Sequence, residues 1–165
     1  MTGQAQILLL VLLLCSLPAR ANPAEPSAIL EAGGAGEWGA DRPAYGPVLG
    51  IEVTAIPQWL ELEAGVAPLF SRGRMEWDVD FLFKKPYALS DRVEFMFGIG
   101  PTWSHTIEHS TVSDAAGAAM ALDFMFWPSR DRRFGWYLEP SFGYSFGAEH
   151  EQNVAISAGL LIAIP

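Results

Sequence analysis

The stretch Arg74-Met75-Glu76-Trp77-Asp78-Val79-Asp80-Phe81-Leu82-Phe83-Lys84 decides the fold class. Met75, Trp77, Val79, Phe81 and Phe83 are apolar, the residues between them are charged, and only Leu82 breaks the alternation. Successive side chains of a strand point to opposite faces, so this segment has one face for an apolar medium and one for polar groups. Wound into a helix, the same residues would be mixed around the axis.

The period of two recurs on both sides. Leu49, Ile51, Val53 and Ala55 alternate with Gly50, Glu52 and Thr54; Leu60, Leu62, Ala64 and Val66 alternate with Glu61, Glu63 and Gly65. Downstream, Val93, Phe95, Phe97, Ile99 and Trp103 form one face, as do Met120, Leu122, Phe124 and Phe126. Trp136, Leu138, Phe142, Tyr144 and Phe146 form another, and Val154, Ile156, Ala158, Leu160, Ile162 and Ile164 close the chain. Seven strands are legible, and an eighth from Ser27 to Trp38 is weakened by Gly33, Gly34 and Gly36. Turn residues at Ser71-Arg72-Gly73, Lys85-Pro86, Ser90-Asp91, Pro128 to Asp131 and Gly147 to His150 make short connections suited to antiparallel neighbours. The expected fold is all-β, an antiparallel up-and-down barrel of about eight strands.

Ahead of the strands, Ile7 to Leu14 is an uninterrupted apolar run followed by Pro18 and Ala19-Arg20-Ala21, which reads as a secretory signal over residues 1–21. Residues 22–44 form a less defined segment holding the possible first strand, and 45–165 the barrel. Removal of the signal takes away Cys15, the only cysteine, so neither disulfide nor thiol chemistry is expected. It also removes Arg20 and no acid, making the formal charge of −9 more negative by one. An acidic chain without a basic cluster is repelled by phosphate backbones, which excludes nucleic acid as a partner.

A barrel can turn its apolar face inward, as a soluble calyx for an apolar ligand in the periplasm, or outward to lipid. Side-chain size favours lipid outside. A small barrel has little interior room, whereas the apolar face carries Trp77, Phe81, Phe83, Phe95, Phe97, Trp103, Phe124, Phe126, Trp136 and Phe142, and the other face holds many Gly and Ala. Bulky-out, small-and-polar-in is the rule for membrane strands. Trp59, Trp103, Trp127, Trp136 and Tyr144 lie near strand ends, where aromatic girdles meet the two interfaces.

The segments Trp59 to Gly65, Leu82 to Pro86, Asp123 to Pro128, Phe134 to Pro140 and Gly159 to Pro165 carry a resemblance to bacterial outer-membrane β-barrel proteins, and more closely to small uncharacterised predicted barrels, from about Tyr45 to the end. The resemblance implies residence in the outer membrane, contact with membrane lipid and insertion by the outer-membrane machinery. It brings no established activity. A monomer with a structural, small-scale transport or adhesion role is expected, with no cofactor and no ordered metal-binding loop.

With that orientation Glu52, Glu61, Glu63, Glu76, Asp78, Asp80, Glu94, Asp123 and Glu139 point into the lumen, against Arg74, Lys84 and Arg92. Such an interior is either a hydrated network of carboxylates and cations that stiffens the barrel or a path or site for hard cations. A four-residue turn from Ser71 to Arg74 sets Glu61 opposite Lys84, an expected ion pair, and the hairpin around Pro128 to Arg133 sets Asp123 opposite Glu139, where two acids repel unless a cation intervenes. Ser104-His105-Thr106-Ile107-Glu108-His109-Ser110 contains the residue types of a lipid-modifying enzyme, but this run reads as the longest connection, where polar residues are ordinary, and no catalysis is expected.

Overall fold

The computed structural model describes residues 26–39, 42–147 and 150–164; the proposed signal over 1–21 lies outside them. Eight strands follow one another: β1 (Ala28–Trp38), β2 (Ala44–Ile56), β3 (Leu60–Ser71), β4 (Arg74–Ala88), β5 (Val93–Glu108), β6 (Thr111–Phe126), β7 (Phe134–Ser145) and β8 (Gln152–Ile164). Each pairs antiparallel with the next, and β1 pairs with β8 to close the barrel. Closure satisfies the backbone hydrogen bonds that an open edge would expose, which a lipid environment demands.

The glycine-rich segment is a full strand. Gly33 faces Gly159 of β8, and a Cβ on Gly33 would lie 2.1 Å from the Ala158 carbonyl oxygen. The glycines that weaken β1 as an isolated strand are what let it approach its closing partner. The barrel therefore begins at Ala28 rather than at Tyr45. At the β3–β4 turn the two-residue loop Arg72-Gly73 puts Gly73 at φ 79°, where a side chain is strained.

The outer surface is apolar along every strand: Leu30, Ile51, Trp77, Phe81, Phe83, Ile99, Leu138, Ile156 and Ile162 are all exposed. An apolar calyx inside is not what the barrel has. At the terminal end of the barrel, where β1 begins and β8 ends, exposed Trp59 and Trp136 accompany Lys85, whose Nζ donates to the Gln58 carbonyl at 2.9 Å and lies 5.7 and 5.8 Å from the Trp59 and Tyr87 rings. Phe126 stacks on Trp136 with centroids 3.9 Å apart. At the opposite end Trp38, Tyr45, Phe70, Trp77 and Trp103 are exposed. Trp127 departs from the expected girdle. Odd-numbered residues of β6 face inward, and Trp127, continuing that parity past the strand, is 1% exposed inside the barrel.

Candidate functional site

Three layers succeed one another along the lumen, and the register of the strands builds each. Nearest the termini, Ile29, Met96, Met125, Trp127, Tyr137 and Leu161 form a buried apolar cluster. Arg132 in the β6–β7 turn, at φ 48°, folds back over this mouth, donates to Glu94 Oε2 at 2.7 Å and lies 5.9 Å from the Trp127 ring. Arg92, expected to face inward, is exposed in the β4–β5 turn, and Arg132 takes its place against Glu94. The physical reason is reach: Arg92 lies outside β5, where the period of two no longer sets direction.

The next layer is charged, with Lys84 at its centre. Lys84 is fully buried, and its Nζ lies 3.0 Å from Asp123 Oδ2, 2.6 Å from Glu139 Oε2 and 3.8 Å from Glu52 Oε2, and in contact with Glu63 Oε2. The register follows the turn count: in the β3–β4 ladder Ser71 lies opposite Arg74 and Glu61 opposite Lys84. The ammonium extends across the lumen beyond that neighbour to carboxylates of β2, β3, β6 and β7. Glu52 faces Glu63 directly across β2 and β3. The β6–β7 ladder runs Ala121 to Ser141 and Phe124 to Leu138, which sets Asp123 against Glu139. Each like-charged pair is repulsive alone, and Lys84 is the cation that intervenes at both.

Room for this side chain comes from Gly98, which pairs with Lys84 across β4 and β5; a Cβ there would lie 2.9 Å from Lys84 Cγ. Glu31 of β1 joins the layer, 5% exposed, with its oxygen grouped with those of Glu52, Glu63 and Asp123 within 4.8 Å. Glu31 was missed in the sequence because β1 read as weak, although Ile29, Glu31, Gly33, Ala35 and Glu37 keep the inward period of two.

Above the charged layer the lumen opens as a cup of about 620 Å³ at the end away from the termini. Small and polar side chains line it, among them Thr102, Ser104, Ala119, Ser141 and Ala155, with Glu37, Glu76, Asp78 and Arg74 on the walls. Arg74 pairs with Glu76 at 2.5 Å, and Asn153 donates to Glu37 Oε2 at 2.7 Å. None of Lys84, Asp123, Glu52 or Glu63 lines the cup; the charged layer is buried deeper in the lumen, beneath it.

The segment Ser104 to Glu108 is strand, not connection; only His109 and Ser110 form the turn. Parity sends Ser104 into the cup and His105 to the other face, where its Nδ1 lies 2.9 Å from Asp114 Oδ1 and its ring stacks on Trp103. A neighbouring serine and histidine on one strand are thus held apart.

No family model matches the chain, and no curated protein matches it. Solved structures do. The chain is similar to Neisserial surface protein A, with a TM-score of 0.70 at 8% identity over 84% of this chain and 97% of that one. The fold is that of the small bacterial outer-membrane barrels. The outer membrane protein OprG from Pseudomonas aeruginosa superposes with a TM-score of 0.66 at 10% identity, covering 88% of this chain and 98% of its own. The N-terminal barrel domain of Pseudomonas aeruginosa OprF gives 0.60 at 9% identity over 83% and 98%. At these identities the likeness is one of architecture alone.

Proposed function

We propose that this chain is a monomeric outer-membrane protein that crosses the bilayer as a barrel and serves a structural role, its open cup adding the holding or adhesion of polar solutes at one surface, without catalysis. The observation that carries this reading is the pairing of an apolar outer belt with a lumen blocked by charge. Exposed Phe81, Phe83, Ile99, Leu122 and Ile156 would be a severe aggregation hazard in water; in lipid they are the solvent-matched face. Strands of 11 to 16 residues meet or exceed the roughly 9 to 11 tilted residues that a bilayer requires.

The block across the lumen favours holding a solute over passing it. The separation of Ser104 from His105, and the strand ladder running through both, support a non-catalytic role. Short hairpins such as Arg72-Gly73 and His109-Ser110 leave little surface for a large receptor.

Fractionation of cells expressing the full chain, with electrophoresis of the outer-membrane fraction before and after boiling, tests the placement. Recovery in that fraction with a heat-dependent mobility shift is the expected outcome, and a soluble periplasmic protein would overturn it. Planar-bilayer recordings should show no sustained conductance; steady single-channel steps would show that solutes pass the charged layer.

A further inference from the structure

The charged layer holds more acid than its one ammonium can answer. Glu31, Glu52, Glu63, Asp123 and Glu139 surround Lys84, and the ammonium engages the last three closely and Glu52 only at 3.8 Å. Glu31 Oε1 and Asp123 Oδ1 are buried without a hydrogen-bond donor, and so is Glu52 Oε2, which the ammonium approaches no closer than 3.8 Å. Glu31 itself is 5% exposed. Buried carboxylate oxygens without partners are costly, and the cost is relieved by a cation placed among them.

The geometry supplies the place. One oxygen from each of Glu31, Glu52, Glu63 and Asp123 falls in a group with no two more than 4.8 Å apart. Ca²⁺ sits about 2.3 to 2.6 Å from its oxygen ligands, so oxygens on opposite sides of it are about 5 Å apart; Mg²⁺, at about 2.0 to 2.1 Å, needs a tighter shell. We infer that this layer binds one hard divalent cation of the size of Ca²⁺ between Glu31, Glu52, Glu63 and Asp123, beside the Lys84 ammonium. Five carboxylates then face three positive charges instead of one.

A route leads to it. Glu76, Asp78 and Asp80 succeed one another on the inward face of β4, from the open cup toward Lys84. Their spacing is two residues, about 7 Å per step. Asp80 Oδ1 is also buried without a donor, so the descending wall offers oxygen throughout. The site rests on the interior of the barrel alone and does not depend on which membrane surrounds it.

The test uses the full mature protein in detergent, stripped with chelator and titrated with Ca²⁺ by calorimetry. One Ca²⁺ per chain is expected, with a rise in the temperature at which the folded band converts on electrophoresis. Glu31→Gln should weaken binding at least tenfold, and Asp91→Asn, in the exposed β4–β5 turn outside the lumen, should leave it unchanged. No uptake by the wild-type protein, or equal affinity in Glu31→Gln, overturns the site. Should Glu31→Gln fail to fold, terbium titration of the wild-type protein decides: emission sensitised by buried Tyr137 and lost on adding Ca²⁺ supports the site, and no such emission overturns it.

Discussion

In the half of the lumen nearest the chain termini, inward positions carry Ile29, Glu52, Lys84, Met96, Asp123 and Leu161, all buried; in the other half they carry Thr102, Ser104, Ala119, Ser141 and Ala155, which leave a cup. The same eight strands bound both halves, so the bore is set by strand number and tilt. The difference is therefore one of side-chain volume and charge. Where long side chains converge, their charges must be matched within the barrel; where short ones line the wall, water or a solute does the matching. A barrel of this size is closed or open layer by layer, according to what the inward residue of each strand reaches.

Removing the central cation is the most direct way to break the contrast. Lys84→Met leaves the carboxylates of five strands facing one another in a buried layer, and a loss of about 3 to 5 kcal/mol is expected, as for a buried ion pair deprived of one partner. Denaturant unfolding in lipid or detergent measures it, and a stability equal to wild type would show that the sealed half is held by packing alone. The outer face comes next. Phe81→Arg places a charge on the lipid side, at a cost of about 2 to 4 kcal/mol near mid-bilayer, read from the folded fraction on unboiled gels; a soluble, fully folded variant would remove lipid from the argument.

Arg132→Ala opens the mouth at the terminal end and takes the guanidinium away from Glu94, 7% exposed. A loss of about 1 to 3 kcal/mol is expected, with faster quenching of Trp127 fluorescence by a water-soluble quencher. Unchanged quenching would mean that the apolar cluster seals the end without its arginine lid. The smallest effect sharpens the contrast from the open side. Ser141→Ala in the cup wall should change stability by less than about 0.5 kcal/mol; a cost near that of Arg132→Ala would show that the cup is as tightly organised as the floor beneath it.

Legibility followed the same division. The alternation from Arg74 to Lys84 gave strand, face and, through the Ser71 to Arg74 turn, the register with β3, because each is a local property of the chain. Trp127 and Arg92 departed from expectation at strand ends, where direction depends on how a turn folds over the mouth. Ser104 and His105 were adjacent in sequence and on opposite faces in space, since the strand runs through a segment that polar composition made look like a loop. β1 was faint because its glycines carry no side-chain pattern; their value appears only when β8 lies against them.

By itself, the sequence determined that the chain alternates with period two, that one face is bulky and apolar, and that the other is acidic with few cations. These follow from residue order and strand geometry alone. Only the tertiary structure decided that β1 closes the ring with β8, that Glu31 and Glu52 share a layer with Glu63, Asp123 and Glu139, and that one lysine serves several strands. Across a barrel, residues far apart in sequence are brought within a few ångströms by closure, and a side chain as long as lysine answers to the whole circumference rather than to the strand beside it.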